Sequence, residues 1–168
     1  MKNTQPRYAL SVLLVVACLG GCAERGLFHV TESPKSKIFA RSIIVKRSTA
    51  DIYVPNEIVN DFEDYLGEYL YQGNPKFIYG EDIILNYKIV ICEPYNVLLQ
   101  HIPFAGEMGR FGVEVIFSNY SDNNIGSVYS YNYNSGGGIL SGTFNTVINK
   151  VAKKISNYAI ENFLEINK

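Results

Sequence analysis

A glycine-rich stretch in the last third of the chain has the general layout of a phosphate-binding loop. It runs NYNSGGGILSGTFNTVINKVAKKI from Asn132 to Ile155, so glycines end a tyrosine-rich strand and a periodic helix follows. The free N–H groups at a helix N-terminus can hold a phosphate or a carboxylate. The G-x-x-x-x-G-K-[ST] pattern, however, needs a lysine, and here Thr143 follows Gly142 directly.

The dinucleotide-binding pattern is not met either, because Ser141 stands where a third glycine would be needed. We therefore interpret the segment as a turn between a strand and a helix, with Ser141 or Thr143 as the helix N-cap. An anion site at the helix N-terminus is the alternative. The sequence predicts no nucleotide or other cofactor.

The histidines and acidic residues offer one further arrangement that could be catalytic. His29 and His101 are the only histidines, and neither has a Glu-x-x-His or Cys-x-x-Cys partner, so we predict no metal site. His101 and Glu107 share one apolar loop and could act as a general base and its orienting group. A loop histidine satisfied by the backbone is the simpler interpretation, and no G-x-S-x-G context exists. We predict that the protein is not an enzyme.

A row of tyrosines provides a candidate binding surface. Tyr129, Tyr131 and Tyr133 alternate with smaller residues along one predicted strand and so share one side of it. If exposed, the three rings would form a stacking and hydrogen-bonding platform for a glycan or a protein. Because large aromatic residues usually lie beneath helices, the sequence favours the alternative that these rings are buried in the core.

The first residues have the pattern of a secretory signal. MKNTQPRYALSVLLVVACLGGC begins with basic residues, continues with an apolar run from about Ala9 to Leu19, and ends in small residues before Cys22. A membrane-spanning helix needs about 20 apolar residues, so this run is too short to span. We predict cleavage before Cys22; an ordinary signal peptide with an incidental cysteine is the alternative.

The segment Leu19-Gly20-Gly21-Cys22 resembles the lipobox of bacterial lipoproteins. The resemblance implies processing at Leu19, Gly20 and Gly21 and acylation (palmitate-type lipidation) of Cys22, which anchors the mature protein in a membrane. Several acyl chains hold a protein durably on a bilayer. In that family the residue after the cysteine sorts proteins between membranes, and Ala23 is not the aspartate that retains them at the inner membrane. The resemblance therefore implies the outer membrane, facing the periplasm.

Composition limits the remaining possibilities. The 168-residue chain has a formal net charge of −1, without the polybasic footprint of a nucleic-acid-binding protein, so we expect no nucleic-acid partner. We predict a signal peptide over residues 1–21, a lipidated tether over 22–37 and one domain over 38–168. Leu27, Phe28 and Val30 within the tether could instead form a short strand. Cys92 would be the lone thiol of the mature domain besides the lipidated one, and burial is favoured over pairing between chains.

Hydrophobic periodicity predicts the elements that would position these residues. Ile38–Lys46 is rich in strand-forming residues, and the region from Ile58 to Leu70 has the three- and four-residue spacing of a helix with an acidic, solvated side. A long strand over Ile83–Cys92 and a hairpin of Gly112–Ser118 with Ile125–Asn134 follow, and a closing amphipathic helix begins near Phe144. Two helices with one apolar stripe each cover one face of a small sheet. We predict an α+β fold, a two-layer sandwich of a small mixed or antiparallel sheet with two helices on one face.

The chain also resembles a group of uncharacterised envelope lipoproteins whose domain is similar to the amino-terminal domain of TolB and to lipoprotein activators of penicillin-binding proteins. The residues that carry this resemblance are the helix after the first strand, the AGEMGRFGVEVIFSNYSDNNIGSVYS hairpin and the glycine-rich entry to the last helix. The resemblance implies a non-catalytic binding or assembly role in the cell envelope, with an envelope protein or a cell-wall glycan as partner. A small peptidoglycan-acting hydrolase and a toxin-immunity or inhibitor lipoprotein are the alternatives.

Overall fold

The computed structural model describes residues 26–34, 38–94, 108–121, 123–135 and 143–165. The predicted α+β sandwich is confirmed, since one six-stranded mixed sheet is packed against two helices. The lipobox residues Leu19, Gly20, Gly21 and Cys22 lie outside the described residues. So do His101, Glu107 and the glycine-rich turn at 136–142.

Six strands and two helices make up the described fold. In chain order the strands are β1 (Gly26–Glu32), β2 (Ser42–Arg47), β3 (Ile78–Tyr79), β4 (Ile83–Glu93), β5 (Met108–Asn119) and β6 (Asn124–Ser135); the helices are α1 (Asn56–Gly67), which continues as a π-helical turn over Glu68–Gln72, and α2 (Phe144–Phe163). The spatial order of the sheet is β1-β6-β5-β4-β2-β3. Strand β2 runs parallel to both β3 and β4, whereas the other neighbours are antiparallel.

Strand β1 lies inside the range that was predicted to be a tether. It pairs antiparallel with β6 in a register that joins Gly26 to Asn132 and Leu27 to Tyr131. The alternative that this segment forms a short strand is therefore confirmed, and the sheet includes residues that precede the predicted domain boundary at residue 38. Phe28 and Val30 explain why, because both pack against the hydrophobic core while their neighbours in the strand are more exposed.

The core lies between the helices and one face of the sheet. Phe62 of α1 contacts the rings of Tyr87 and Phe111, with ring centroids 5.1 and 5.4 Å apart. Phe117 of β5 contacts Phe163 of α2 in the same way at 5.0 Å. Both helices therefore cover the same side of the sheet, as the periodicity predicts. Helix α2 starts after Thr143, which is its N-cap residue, although the Thr143 side chain makes no capping hydrogen bond.

Among the described residues, neither helix combines the length and the apolar character that crossing a bilayer requires.

A candidate binding surface on the open face of the sheet

The tyrosine row lies on the face of the sheet that α1 and α2 do not cover. The alternate residues of β6, Val128, Ser130 and Asn132, are the buried ones, with at most 1% of their surface exposed. The favoured prediction that Tyr129, Tyr131 and Tyr133 form part of the core is therefore wrong. We call the opposite side, which carries these three half-buried tyrosines, the open face.

The residues buried between α2 and the sheet leave the tyrosines of the row on the other side. Helix α2 packs on β5 and β6, and the residues that it buries include Ala152, Ser156 and Ala159. The β6 residues that face it are Val128, Ser130 and Asn132. Because successive residues of a strand point to opposite sides, the tyrosines that alternate with them lie on the open face. On the open face their apolar bodies cover the strands while the hydroxyl groups reach water.

Three rows of paired residues cross the open face. One joins Lys88, Glu114, Tyr129 and His29 across β4, β5, β6 and β1; the next joins Ile91, Gly112, Tyr131 and Leu27; the last joins Glu93, Arg110 and Tyr133. The rings of Tyr131 and Tyr133 are stacked, with centroids 5.9 Å apart and planes 29° from parallel. Neighbouring residues on one face of a sheet contact one another, so the rows form one continuous surface.

Gly112 shapes the middle of this surface. A Cβ atom at this position would lie 3.2 Å from the Cβ of Ile91 and 3.3 Å from the hydroxyl oxygen of Tyr129. Ile91 and Tyr129 therefore reach over the glycine from the two sides and cover it. Burial raises the pKa of Tyr129, and the neighbouring Tyr131 and Glu114 raise it further, so its hydroxyl stays protonated and remains a hydrogen-bond donor.

The charges of the open face are partly paired. Arg110 lies 3.5 Å from Glu93 of the neighbouring strand, and Lys88 forms an ion pair with Asp51. That pairing raises the pKa of Lys88, and the hydrogen bond to Asp51 is the largest cause. Leu27 and Ile116 add exposed apolar side chains, 53% and 49% of whose surface is accessible. The surface is thus aromatic and apolar with interspersed charges, which suits binding rather than proton transfer.

The other candidate residues are dispersed. His29 is exposed on β1, at the end of the Lys88 row. Cys92 is a half-buried free thiol that packs against the core, and burial raises its pKa, so it is a poor nucleophile. Among the described residues, no group of three or more His, Cys, Asp or Glu side chains is placed to hold a metal ion. The polar side of the first helix is exposed at Asn60, Glu63 and Asp64 of α1 and at Glu68 of the π-helical turn, as predicted.

Sequence reasoning missed several residues of the open face, namely Leu27, Lys88, Ile91, Gly112 and Glu114. For Leu27, the sequence predicts only a place in the tether or in a short strand. The alternation of GVEVIFS in β5 could have found Gly112 and Glu114, because it places them on the side opposite to the buried Val113 and Val115. Ile91 gives no such signal, because an irregularity in β4 between Ile89 and Ile91 brings it opposite Gly112.

The chain matches no protein-family model and no curated protein by sequence. Its fold is similar to that of solved structures. One is the PelC dodecamer from Paraburkholderia phytofirmans, with a TM-score of 0.54 and 12% sequence identity, covering 77% of this chain and 94% of that one. A variant PelC dodecamer from the same organism has a TM-score of 0.47 and 14% identity, covering 78% of this chain and 97% of that one. At this identity, the similarity to the first structure establishes the shared fold alone.

Proposed function

We propose that this chain is a lipid-anchored protein of the outer membrane, facing the periplasm, and that it acts there as a non-catalytic binding or assembly factor. The observation that carries the binding role is the open face, on which Tyr129, Tyr131 and Tyr133 form a continuous aromatic surface that α1 and α2 leave accessible. The lipobox resemblance at Leu19 to Cys22 supports the anchor.

The open face supports binding because of what its side chains offer. Tyrosine combines a large apolar surface with a hydroxyl group, and it loses little conformational entropy when a partner orders it. Two stacked rings beside an exposed leucine and flanking charges have the mixed character of protein-binding and sugar-binding surfaces. The partner is accordingly an envelope protein or a cell-wall glycan, and the test must separate the two.

Self-association is part of this proposal. The similar PelC structure is a dodecamer, and the sheet described here ends in strands β1 and β3 at its two edges. An edge strand presents unpaired backbone groups to which another chain can add. A native mass measurement of the detergent-solubilised protein gives the number of copies.

Site-specific photo-crosslinking in intact cells tests the binding role. A photoreactive phenylalanine analogue replaces Tyr129 on the open face and, in a matched control, Asn157 on the exposed side of α2. We expect a discrete adduct from position 129 alone, and no adduct when Cys22→Ser removes the anchor. Digestion with protease or with a cell-wall hydrolase then tells a protein adduct from a glycan adduct.

Two results would contradict the proposal. Equal adducts from positions 129 and 157 would show contact without a defined surface. Cell-wall cleavage by the purified protein that disappears in the His101→Ala variant would support the hydrolase alternative instead.

A further inference from the structure

The position of strand β1 limits the distance between the sheet and the proposed anchor. Gly26 is already paired with Asn132 of β6, so only three residues separate it from Cys22. Four extended Cα–Cα steps span at most about 14 Å. A tether reaching residue 37 would have allowed several times this distance. The end of the sheet that carries Gly26 therefore lies close to the membrane surface when Cys22 is acylated.

The open face near Gly26 carries the side chains that suit this position. Leu27 follows Gly26 directly and pairs with Tyr131, and the Tyr131 ring stacks on that of Tyr133. Neighbouring strands are about 4.8 Å apart, so the backbones of Tyr131 and Tyr133 lie closer to Gly26 than the maximum span between Gly26 and Cys22. Arg110, paired with Tyr133 in the sheet, adds a cation whose apolar stem can lie along the rings.

Each of these side chains has a preferred place at a membrane boundary. Tyrosine is enriched at the headgroup level, where its ring meets apolar chains and its hydroxyl meets water and phosphate. An exposed leucine gains by burial among acyl chains. The guanidinium of Arg110 suits a lipid phosphate, and its partner Glu93, 3.5 Å away, reduces the local charge without removing that donor.

We propose that Leu27, Tyr131 and Tyr133, with Arg110, dock the Gly26 end of the open face into the headgroup region of the membrane that holds the anchor. This inference rests on the proposed lipidation of Cys22. It divides the open face into two parts. The end at Tyr131 and Tyr133 contacts lipid, and the partner-binding surface proposed above thereby narrows to the part from Tyr129 toward the β5–β6 turn.

Tryptophan fluorescence tests this docking directly, because the chain contains no tryptophan. Tyr133→Trp places the reporter at the proposed lipid contact. Tyr120→Trp is the matched control: Tyr120 is 81% exposed in the β5–β6 turn, about 33 Å away along the strands. Each full-length lipidated variant is reconstituted into vesicles of phosphatidylethanolamine and phosphatidylglycerol whose acyl chains carry bromine near the ester linkages. Contact with such chains quenches tryptophan.

We expect about twofold stronger quenching of the Tyr133→Trp variant than of the Tyr120→Trp variant, since only the first position lies within tether reach of the bilayer. The Leu27→Trp variant, whose position is exposed on β1, should behave like Tyr133→Trp and serves if that variant folds poorly. Circular dichroism of all three confirms folding. Equal quenching at both ends of the sheet, or none at positions 27 and 133, would overturn the docking proposal.

Failure of the docking and failure of the anchor give different results. The mass of the peptide that contains Cys22, together with flotation of the protein with the vesicles, reports acylation before any fluorescence is read. An acylated, floating protein without selective quenching refutes the docking and leaves the proposed function standing. A protein that carries no lipid and does not float refutes the anchor, and with it the docking.

Discussion

The hydroxyl group of Tyr87 donates a hydrogen bond of 2.5 Å to the carboxylate of Glu63. Tyr87 belongs to β4 and is fully buried, and its ring contacts Phe62 edge-on at 5.1 Å. A phenol in an apolar core needs a partner for its O–H group, because an unsatisfied donor is costly. The bond reaches out of the core to the exposed side of α1, and thereby fixes the position of that helix over the sheet.

Removing this hydroxyl should weaken the fold without disturbing the core. We expect Tyr87→Phe to lower the free energy of unfolding by about 1 kcal/mol, the usual net value of such a hydrogen bond. Urea unfolding of Tyr87→Phe, Glu63→Ala and the double variant gives the coupling between the two groups. A loss in Tyr87→Phe that is the same with and without Glu63→Ala would show that the hydroxyl does not act through Glu63.

The same contact makes the stability fall at high pH. Burial first, and the hydrogen bond to Glu63 second, raise the pKa of Tyr87 above its ordinary value of 10.0. The unfolded chain thus loses this proton at a lower pH than the folded protein does. The contribution of the Tyr87 hydroxyl to the free energy of unfolding is therefore complete below about pH 10 and declines above it. The pKa values of Tyr71, Tyr129 and Tyr158 are raised as well, by burial first.

Because several tyrosines contribute with the same sign, the informative quantity is a difference between proteins. The free energy of unfolding, measured by urea at neutral pH and at about pH 11, should fall less in Tyr87→Phe than in the parent. An identical fall in both proteins would exclude Tyr87 as a source of the alkaline sensitivity.

Asp82 gives the opposite dependence at low pH. Its carboxylate accepts hydrogen bonds from the backbone N–H groups of Ser42, at 3.0 Å, and Arg41, at 3.3 Å. Hydrogen bonding to the Ser42 side chain is the largest cause that lowers the pKa of Asp82, and these backbone bonds add to it. The contribution to stability is therefore present above the ordinary pKa of 3.8 and is lost as the pH falls through the folded value.

We expect Asp82→Asn to be less stable than the parent at neutral pH and to lose less stability on acidification below about pH 4. Thermal unfolding at a series of pH values measures both effects. Asp64→Asn on the solvated side of α1 is the matched control, and it should follow the parent closely. Parallel curves for Asp82→Asn and the parent would show that this carboxylate is not responsible.

The sequence predicts much of the arrangement of helices over a sheet, because this arrangement depends on local hydrophobic periodicity. The spacing of Ile58 to Leu70, the stripe that begins at Phe144 and the polar turn between β5 and β6 each predict an element that the structure contains. Strand β3 gives no such signal, because two residues, Ile78 and Tyr79, form it and both are exposed. Pairing with the rest of the sheet holds β3 in place, because the N–H of Ile78 donates a hydrogen bond to the carbonyl of Arg41.

The orientation of the tyrosine row could not be derived from the sequence. Alternation shows that Tyr129, Tyr131 and Tyr133 share a side, but both sides of β6 contain plausible core residues. The deciding fact is which side of β6 is covered by α2, and this contact joins β6 to buried residues such as Ala152 and Ser156, which lie outside the strand's own pattern. The lipobox resemblance of Leu19 to Cys22 stays a prediction, because these residues lie outside the described part of the chain.

The end of α2 offers a contrast between a buried and an exposed contact. Phe163 is fully buried against Phe117, whereas Glu165, two residues later, pairs with Arg41 at 2.7 Å on the surface. We expect Phe163→Ala to lower the free energy of unfolding by about 3–5 kcal/mol through the cavity that it leaves. Glu165→Ala should change it little, because water screens an exposed ion pair. Urea unfolding compares the two, and equal losses would contradict this assignment.

Gly112 and Gly67 should respond to alanine in opposite directions. A methyl group at 112 would lie 3.2 Å from the Cβ of Ile91, so Ile91 and Tyr129 must move apart, and we expect a loss of about 1 kcal/mol. At Gly67 the nearest atom is 4.0 Å away and the backbone is helical, so alanine should stabilise by about 0.5–1 kcal/mol. Gly112→Ala also displaces Tyr129, so it should reduce the yield of the adduct formed from the photoreactive group at position 129, whereas Gly67→Ala leaves that yield unchanged. Urea unfolding is measured on the purified variants and adduct yield in intact cells, and an unchanged yield in Gly112→Ala would show that Gly112 does not position the side chain at 129.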